Sequence, residues 1–139
     1  MTLLEALDAE RLAVAKAFGV QVPGIHQWLL QTYALGGESL RETFHRLTYE
    51  PTGPYQWTPT PPSLQHKYVV EDVPCGLVAM SGLGRAAGVA TPVIEGLIAL
   101  TSAMLGRDLR AEGRNLEQLG LGGKSAAEIR SIMETGPTL

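Results

Sequence analysis

A chain of 139 residues with 45% hydrophobic and 18% charged residues and one cysteine can bury about two thirds of the surface its unfolded form exposes without disulfide or metal support. A formal net charge of -3 with no Lys/Arg run argues against nucleic acid and anionic membranes as partners, and the lone Cys75 fits a reducing, cytoplasmic compartment. Glu5, Asp8 and Glu10 interrupt any secretory signal core, and the longest apolar stretch, 93–105, is broken by Glu95, Gly96, Thr101 and Ser102 and is too short to span a bilayer.

One soluble domain over 1–139 is therefore expected. Leu3, Leu4, Leu7, Val14 and Phe18 recur at three- and four-residue steps, which predicts an amphipathic helix over 3–18 closed by a left-handed Gly19. Pro23 opens a second helix in which Ile25, Trp28, Leu29, Thr32 and Tyr33 share a face, and Gly36-Gly37 ends it. A short third helix is predicted over 39–47, with Ser39 as N-cap and Glu42 at capping-box spacing.

A Pro-rich loop follows at 49–63, because Pro51, Pro54, Pro59, Pro61 and Pro62 remove amide donors and exclude a regular helix or central strand. Its aromatics Tyr49, Tyr55 and Trp57 favour an ordered loop over a linker. Beyond it the pattern predicts a helix over 74–87 stopped by Gly88 and an apolar helix over 92–105 stopped by Gly106. A further helix is expected over 107–119, with Leu109, Leu116 and Leu119 on its buried face. Ser125 and Glu128 then cap a last turn or two reaching about Met133. No strand is demanded, and the fold class is all-α.

Gly82-Leu83-Gly84-Arg85-Ala86-Ala87-Gly88 imitates a dinucleotide-binding turn, but the segment before it begins Pro74-Cys75-Gly76 where a buried strand is needed, Gly88 interrupts the following helix, and no second βα unit follows. Gly82 and Gly84 are read instead as small residues permitting close helix packing. His26, His45 and His66 show no metal-ligand spacing. His26 and His45 are expected at the surface or the core edge, whereas His66, beside Lys67 and near Asp72, is close enough in sequence to share a site. From the residues alone, Asp72 reads best as the cap of a proline-opened helix, and Lys67 and Glu71, four apart, as a surface ion pair.

The run Lys67-Tyr68-Val69-Val70-Glu71-Asp72-Val73-Pro74-Cys75-Gly76-Leu77-Val78, followed by Gly88-Val89-Ala90-Thr91-Pro92, resembles the signature of the helical C-terminal domain of the octopine/nopaline (opine) dehydrogenase family. Leu7-Asp8-Ala9-Glu10-Arg11-Leu12 and Gly113-Arg114-Asn115-Leu116-Glu117-Gln118-Leu119-Gly120 extend the likeness through almost the whole chain. The resemblance implies a multi-helix fold similar to the C-terminal domain of 6-phosphogluconate dehydrogenases. It also implies a role in reducing, with NADH or NADPH, the imine formed between an amino acid and a 2-oxo acid. In that family an N-terminal Rossmann domain binds the cofactor, and a histidine lying before the region that begins here acts as general acid/base, with which an aspartate of the helical domain pairs.

By motif that aspartate is Asp72, which would fix the imidazole tautomer and raise its basicity. Lys67, where the family carries arginine, would hold a substrate carboxylate without the bidentate fork, with His66 and Glu71 beside it. Residues 1–139 contain neither the glycine-rich nucleotide domain nor the histidine segment, so activity is expected to need a Rossmann-domain partner or a missing N-terminal half that binds NAD or NADP. The rival expectation is a non-catalytic helical dimerisation or interaction module, motivated by that missing domain, the low charge and the apolar 93–105 helix.

Overall fold

The structure, a computed structural model, describes residues 2–136; Met1 and residues 137–139, the two ends of the expected 1–139 domain, lie outside them. The regular structure of the described residues is all helical, with no strand among them. In chain order they form α1 (Thr2–Ala17), α2 (Ile25–Thr32), α3 (Leu40–Tyr49), α4 (Lys67–Val70), a π-turn (Val73–Leu77), α5 (Val78–Ala86), α6 (Pro92–Leu105), α7 (Leu109–Glu112) and α8 (Ala126–Thr135). The buried side chains gather into two clusters. Leu29, Leu40 and Leu47 centre the first, and Val73, Val78, Ile94, Ile98 and Leu109 the second.

Several ends lie where local chemistry places them. Gly19, Gly88 and Gly106 all take positive φ, the left-handed stop that glycine adopts without a Cβ penalty. Ser125 and Glu128 close a complete capping box on α8. At α3 only half of the box forms as expected: the Ser39 hydroxyl accepts from Glu42 N, but the Glu42 carboxylate reaches back to Glu38 N at 2.9 Å.

Other ends are set from across the fold. Helix α2 starts at Ile25, two residues after Pro23, because Ile25 N donates to Asp8 Oδ2 of α1 at 2.8 Å. Arg11 Nε donates to the other Asp8 oxygen at 2.8 Å. The helix stops at Thr32 and not at Gly36-Gly37, since Tyr33 turns extended (φ -117°) and sends its hydroxyl to Tyr55. The N-terminus of α6 is capped from α1 as well: Glu10 accepts from Val93 N at 2.7 Å and from Ile94 N at 2.9 Å. A carboxylate there satisfies two orphan donors and faces the positive end of the helix dipole.

Of the loop aromatics only Tyr55 packs against a core cluster. Its hydroxyl meets that of Tyr33 at 2.7 Å, and that hydrogen bond together with burial pushes the Tyr55 phenol up to about 12. Tyr49 and Trp57 are 70% and 87% exposed, so the expectation that all three order the loop reduces to one residue. His26 is half-buried, as a core-edge residue should be; its Nε2 lies 3.1 Å from Gly37 O and 3.0 Å from the buried Thr43 hydroxyl. His45 is exposed.

The largest departure lies at 107–119, where one helix is predicted and a single turn, α7, forms. Asp108 caps it through Arg110 N and Ala111 N, and the chain then leaves the helix at Gly113, which is extended (φ -83°, ψ 176°). Leu109 and Leu116 are buried as expected, whereas Leu119 is 47% exposed. The segment 82–88 contains no phosphate-cradling turn, because Gly82 and Gly84 lie inside α5. A Cβ on Gly82 would stand 2.9 Å from Leu116 Cγ, and one on Gly84 2.9 Å from Thr91 Cγ2, which is the close packing the sequence suggests.

Candidate functional site

The motif 66–78 folds as one continuous helical path and not as a loop feeding a capped helix. His66 caps α4, its Nδ1 accepting from Tyr68 N at 3.3 Å. Helical backbone then continues through Glu71 and Asp72 into the π-turn. Pro74 has no amide hydrogen to donate into this path, and one step further the ladder is widened, with Val78 N donating to Val73 O. Such single-turn π-bulges occur preferentially at functional sites.

Asp72 therefore is not the cap expected from the residues alone. Its φ and ψ are -67° and -36°, within the helical region, and its carboxylate makes no capping hydrogen bond. The expected Lys67–Glu71 ion pair is also absent from the ion pairs among the described residues. The Lys67 ammonium lies instead over the Tyr68 ring, 5.7 Å from its centroid, a favourable cation–π arrangement. The His66 ring stands edge-on to the same Tyr68 at 4.5 Å.

His66, Lys67 and Tyr68 thus form one outward-facing group, with Tyr68 48% exposed. Glu71 and Asp72 follow on the next turn, both exposed and with no side-chain hydrogen bond within the described residues. The residues just inside them, Val73 and Pro74, are buried. Two cationic or ionisable heads, an aromatic face and two uncommitted carboxylates accordingly point away from a fixed base. Sequence reasoning missed Tyr68, whose only signal was its place inside the Lys67–Asp72 motif.

A second polar cluster was not visible in sequence. Ser81 on α5, fully buried, donates to Glu95 Oε1 on α6 at 2.5 Å. Arg85 donates to both, at 2.8 and 3.0 Å, and Arg110 of α7 pairs with Glu95 and reaches the Ser81 hydroxyl at 3.2 Å. Burial pushes the Glu95 carboxyl up, but the Ser81 hydroxyl, Arg110 and Arg85 outweigh it and hold it below the ordinary carboxylate value. A carboxylate with a depressed folded-state value contributes stability above its unfolded value and loses it as pH falls through the folded one.

Glu95→Gln is therefore expected to flatten the acid side of the pH–stability curve while destabilising the protein modestly near neutrality, because the pair with Arg85 is solvent-screened. Urea melts across the acid range check this.

A cavity of about 1280 Å³ lies elsewhere, between α1, α5 and α8. It is lined by Val14, Phe18, Met80, Leu83, Ile129 and Met133 among others, and none of His66, Lys67, Glu71 or Asp72 reaches it. No helix among the described residues is long and apolar enough to cross a membrane.

The profile of the family described as NAD/NADP octopine/nopaline dehydrogenase, alpha-helical domain, matches residues 1–105. An opine dehydrogenase of Arthrobacter sp. (strain 1C) is 42% identical over 133 residues, covering 96% of this chain and 36% of that protein. Protein ocs of Agrobacterium vitis is 31% identical over 129 residues, 93% of this chain and 35% of that protein. Octopine dehydrogenase of Pecten maximus is 27% identical over 151 residues, 96% of this chain and 36% of that protein. The chain spans about a third of the length of these relatives.

Proposed function

The chain belongs to the octopine/nopaline dehydrogenase family through its alpha-helical domain, and from that premise we propose that it is the substrate-binding and interface domain of an NAD(P)-dependent opine-type oxidoreductase. The reaction joins the amine of an amino acid to a 2-oxo acid and reduces the resulting imine. The observation that carries this reading is the uncommitted Asp72 carboxylate, exposed at the edge of a buried π-turn inside the run that resembles the family's signature.

Asp72 has the chemistry to accept from a ring N–H of a histidine brought by the rest of the enzyme, which fixes the other ring nitrogen as the one that gives or takes the proton. Lys67, steadied over Tyr68, offers a point charge for a substrate carboxylate, with His66 and Glu71 as further substrate-binding heads beside it. Gly82 and Gly84, which imitate a dinucleotide-binding turn in sequence, lie inside α5 and cradle no phosphate there. NAD or NADP would be held by a Rossmann domain outside this chain, where it supplies the hydride.

The test is to combine this chain with a Rossmann domain of a close relative and follow NAD(P)H oxidation with pyruvate and a panel of amino acids. Turnover that requires both halves is the expected result. A stable homodimer of this chain that ignores the Rossmann half would favour the interaction module, for which the exposed Leu100 and Met104 of α6 are the supporting observation.

A further inference from the structure

The π-turn that presents Asp72 is gripped from a part of the chain forty residues on, at the point where the predicted 107–119 helix breaks. Arg114 N donates to Pro74 O at 2.9 Å. Gly113 lies directly against the same carbonyl: a Cβ there would stand 2.4 Å from Pro74 O, 2.6 Å from Leu109 O and 3.0 Å from Pro74 C. These are backbone atoms, which cannot swing aside as a flexible side chain would. The Gly113 φ of -83° is open to any residue, so space and not conformation requires glycine here.

Neither side of this contact is free to retreat. On one side Val73 and Pro74 are buried, with Val73 in the core cluster of Val78, Ile94, Ile98 and Leu109. On the other, α7 is pinned by the fully buried Leu109, by Leu109 N donating to Ser102 Oγ of α6 at 3.3 Å, and by Arg110 tied to Ser81 and Glu95. A displacement forced at Gly113 therefore strains both walls, and the share taken by the turn falls two residues from Asp72.

We propose that Gly113, together with the Arg114 amide, is a positioning element that sets where the Asp72 carboxylate stands. This rests on the reading of Asp72 given above. A side chain at 113 pushes Pro74 outward and carries Asp72 off the line of its histidine partner, and loss of the Arg114 amide releases the same carbonyl. Displacements of this order cost up to about 100-fold in rate when they act on a catalytic group.

The experiment uses Gly113→Ala and, as a second variant acting from the neighbouring residue, Arg114→Pro, which removes the donor and turns a ring Cδ toward the same Pro74 carbonyl; the extended Gly113 is a compatible preceding residue. Both are assayed in the reconstituted enzyme below their melting temperatures, with Asp72→Asn in parallel. Cys75, the only cysteine and part of the turn, reports the turn independently of turnover through its rate of alkylation. The expected result is an altered Cys75 rate in both variants, a kcat lowered about 10- to 100-fold with KM little changed, and a shifted pH–kcat profile.

An unchanged Cys75 rate in folded variants overturns the inference, as does an altered rate with normal kcat and pH profile, which would leave Gly113 a purely structural glycine. If Asp72→Asn itself turns over normally, the reading of Asp72 has failed and Gly113 has no catalytic group to position, while the Cys75 arm still shows whether the turn moves. Asp72→Asn inactive with Gly113→Ala fully active would sink the positioning role alone.

Discussion

Asp72→Asn is expected to lower kcat of the reconstituted enzyme by about 10²- to 10⁴-fold with little change in the stability of this domain. The substitution keeps shape and hydrogen-bonding size but replaces an acceptor-only carboxylate with an amide that can present a donor to the imidazole, favouring the wrong tautomer. The folded state should not register the change, because Asp72 is exposed and makes no capping bond, and surface substitutions of that kind usually fall within about 0.5 kcal/mol. Steady-state kinetics beside a thermal melt separate the two effects. Near-normal turnover in a folded variant would remove Asp72 from the mechanism, and a large loss of stability would restore the helix-cap role that the residues alone suggest.

The largest effect on stability is expected at Ile98. It is 1% exposed and sits on α6 in the cluster with Val73, Val78, Ile94 and Leu109, where α6, the π-turn and α7 converge. Ile98→Ala should cost about 2–5 kcal/mol through lost transfer energy plus the cavity left behind, read as a lower midpoint in urea with an unchanged slope. Leu100, two residues on and 58% exposed, gives the contrast: Leu100→Ala should change stability by no more than about 0.5 kcal/mol. Equal losses at both positions would mean that the exposed face of α6 is buried in solution, as the dimerisation module requires.

These two residues also mark what one dimension can convey. The segment 92–105 is apolar nearly all round, so its pattern announces a helix without saying which side is covered. The face carrying Ile94 and Ile98 is chosen because α1, α5 and α7 pack there. In the same way the motif around Asp72 was legible, and its likeness to the family named the residue, yet its backbone state was not: reading proline as a helix opener made Asp72 a cap, whereas the helix already begins at Lys67 and passes Pro74 by widening.

The sequence by itself determined the all-α class and those helix ends whose unsatisfied groups find partners within a few residues. The Ser39 and Ser125 caps and the left-handed glycines at 19, 88 and 106 are of that kind, and membership of the family was equally legible, over residues 1–105. Only the tertiary structure decided that Asp8 caps α2 and Glu10 caps α6, that Arg110 joins Glu95, and that Gly113 breaks a predicted helix to hold the turn beside Asp72. Each of those depends on groups meeting across 15 to 84 residues of chain. Such meetings are fixed by how the helices pack and leave no periodic trace in the residues between them.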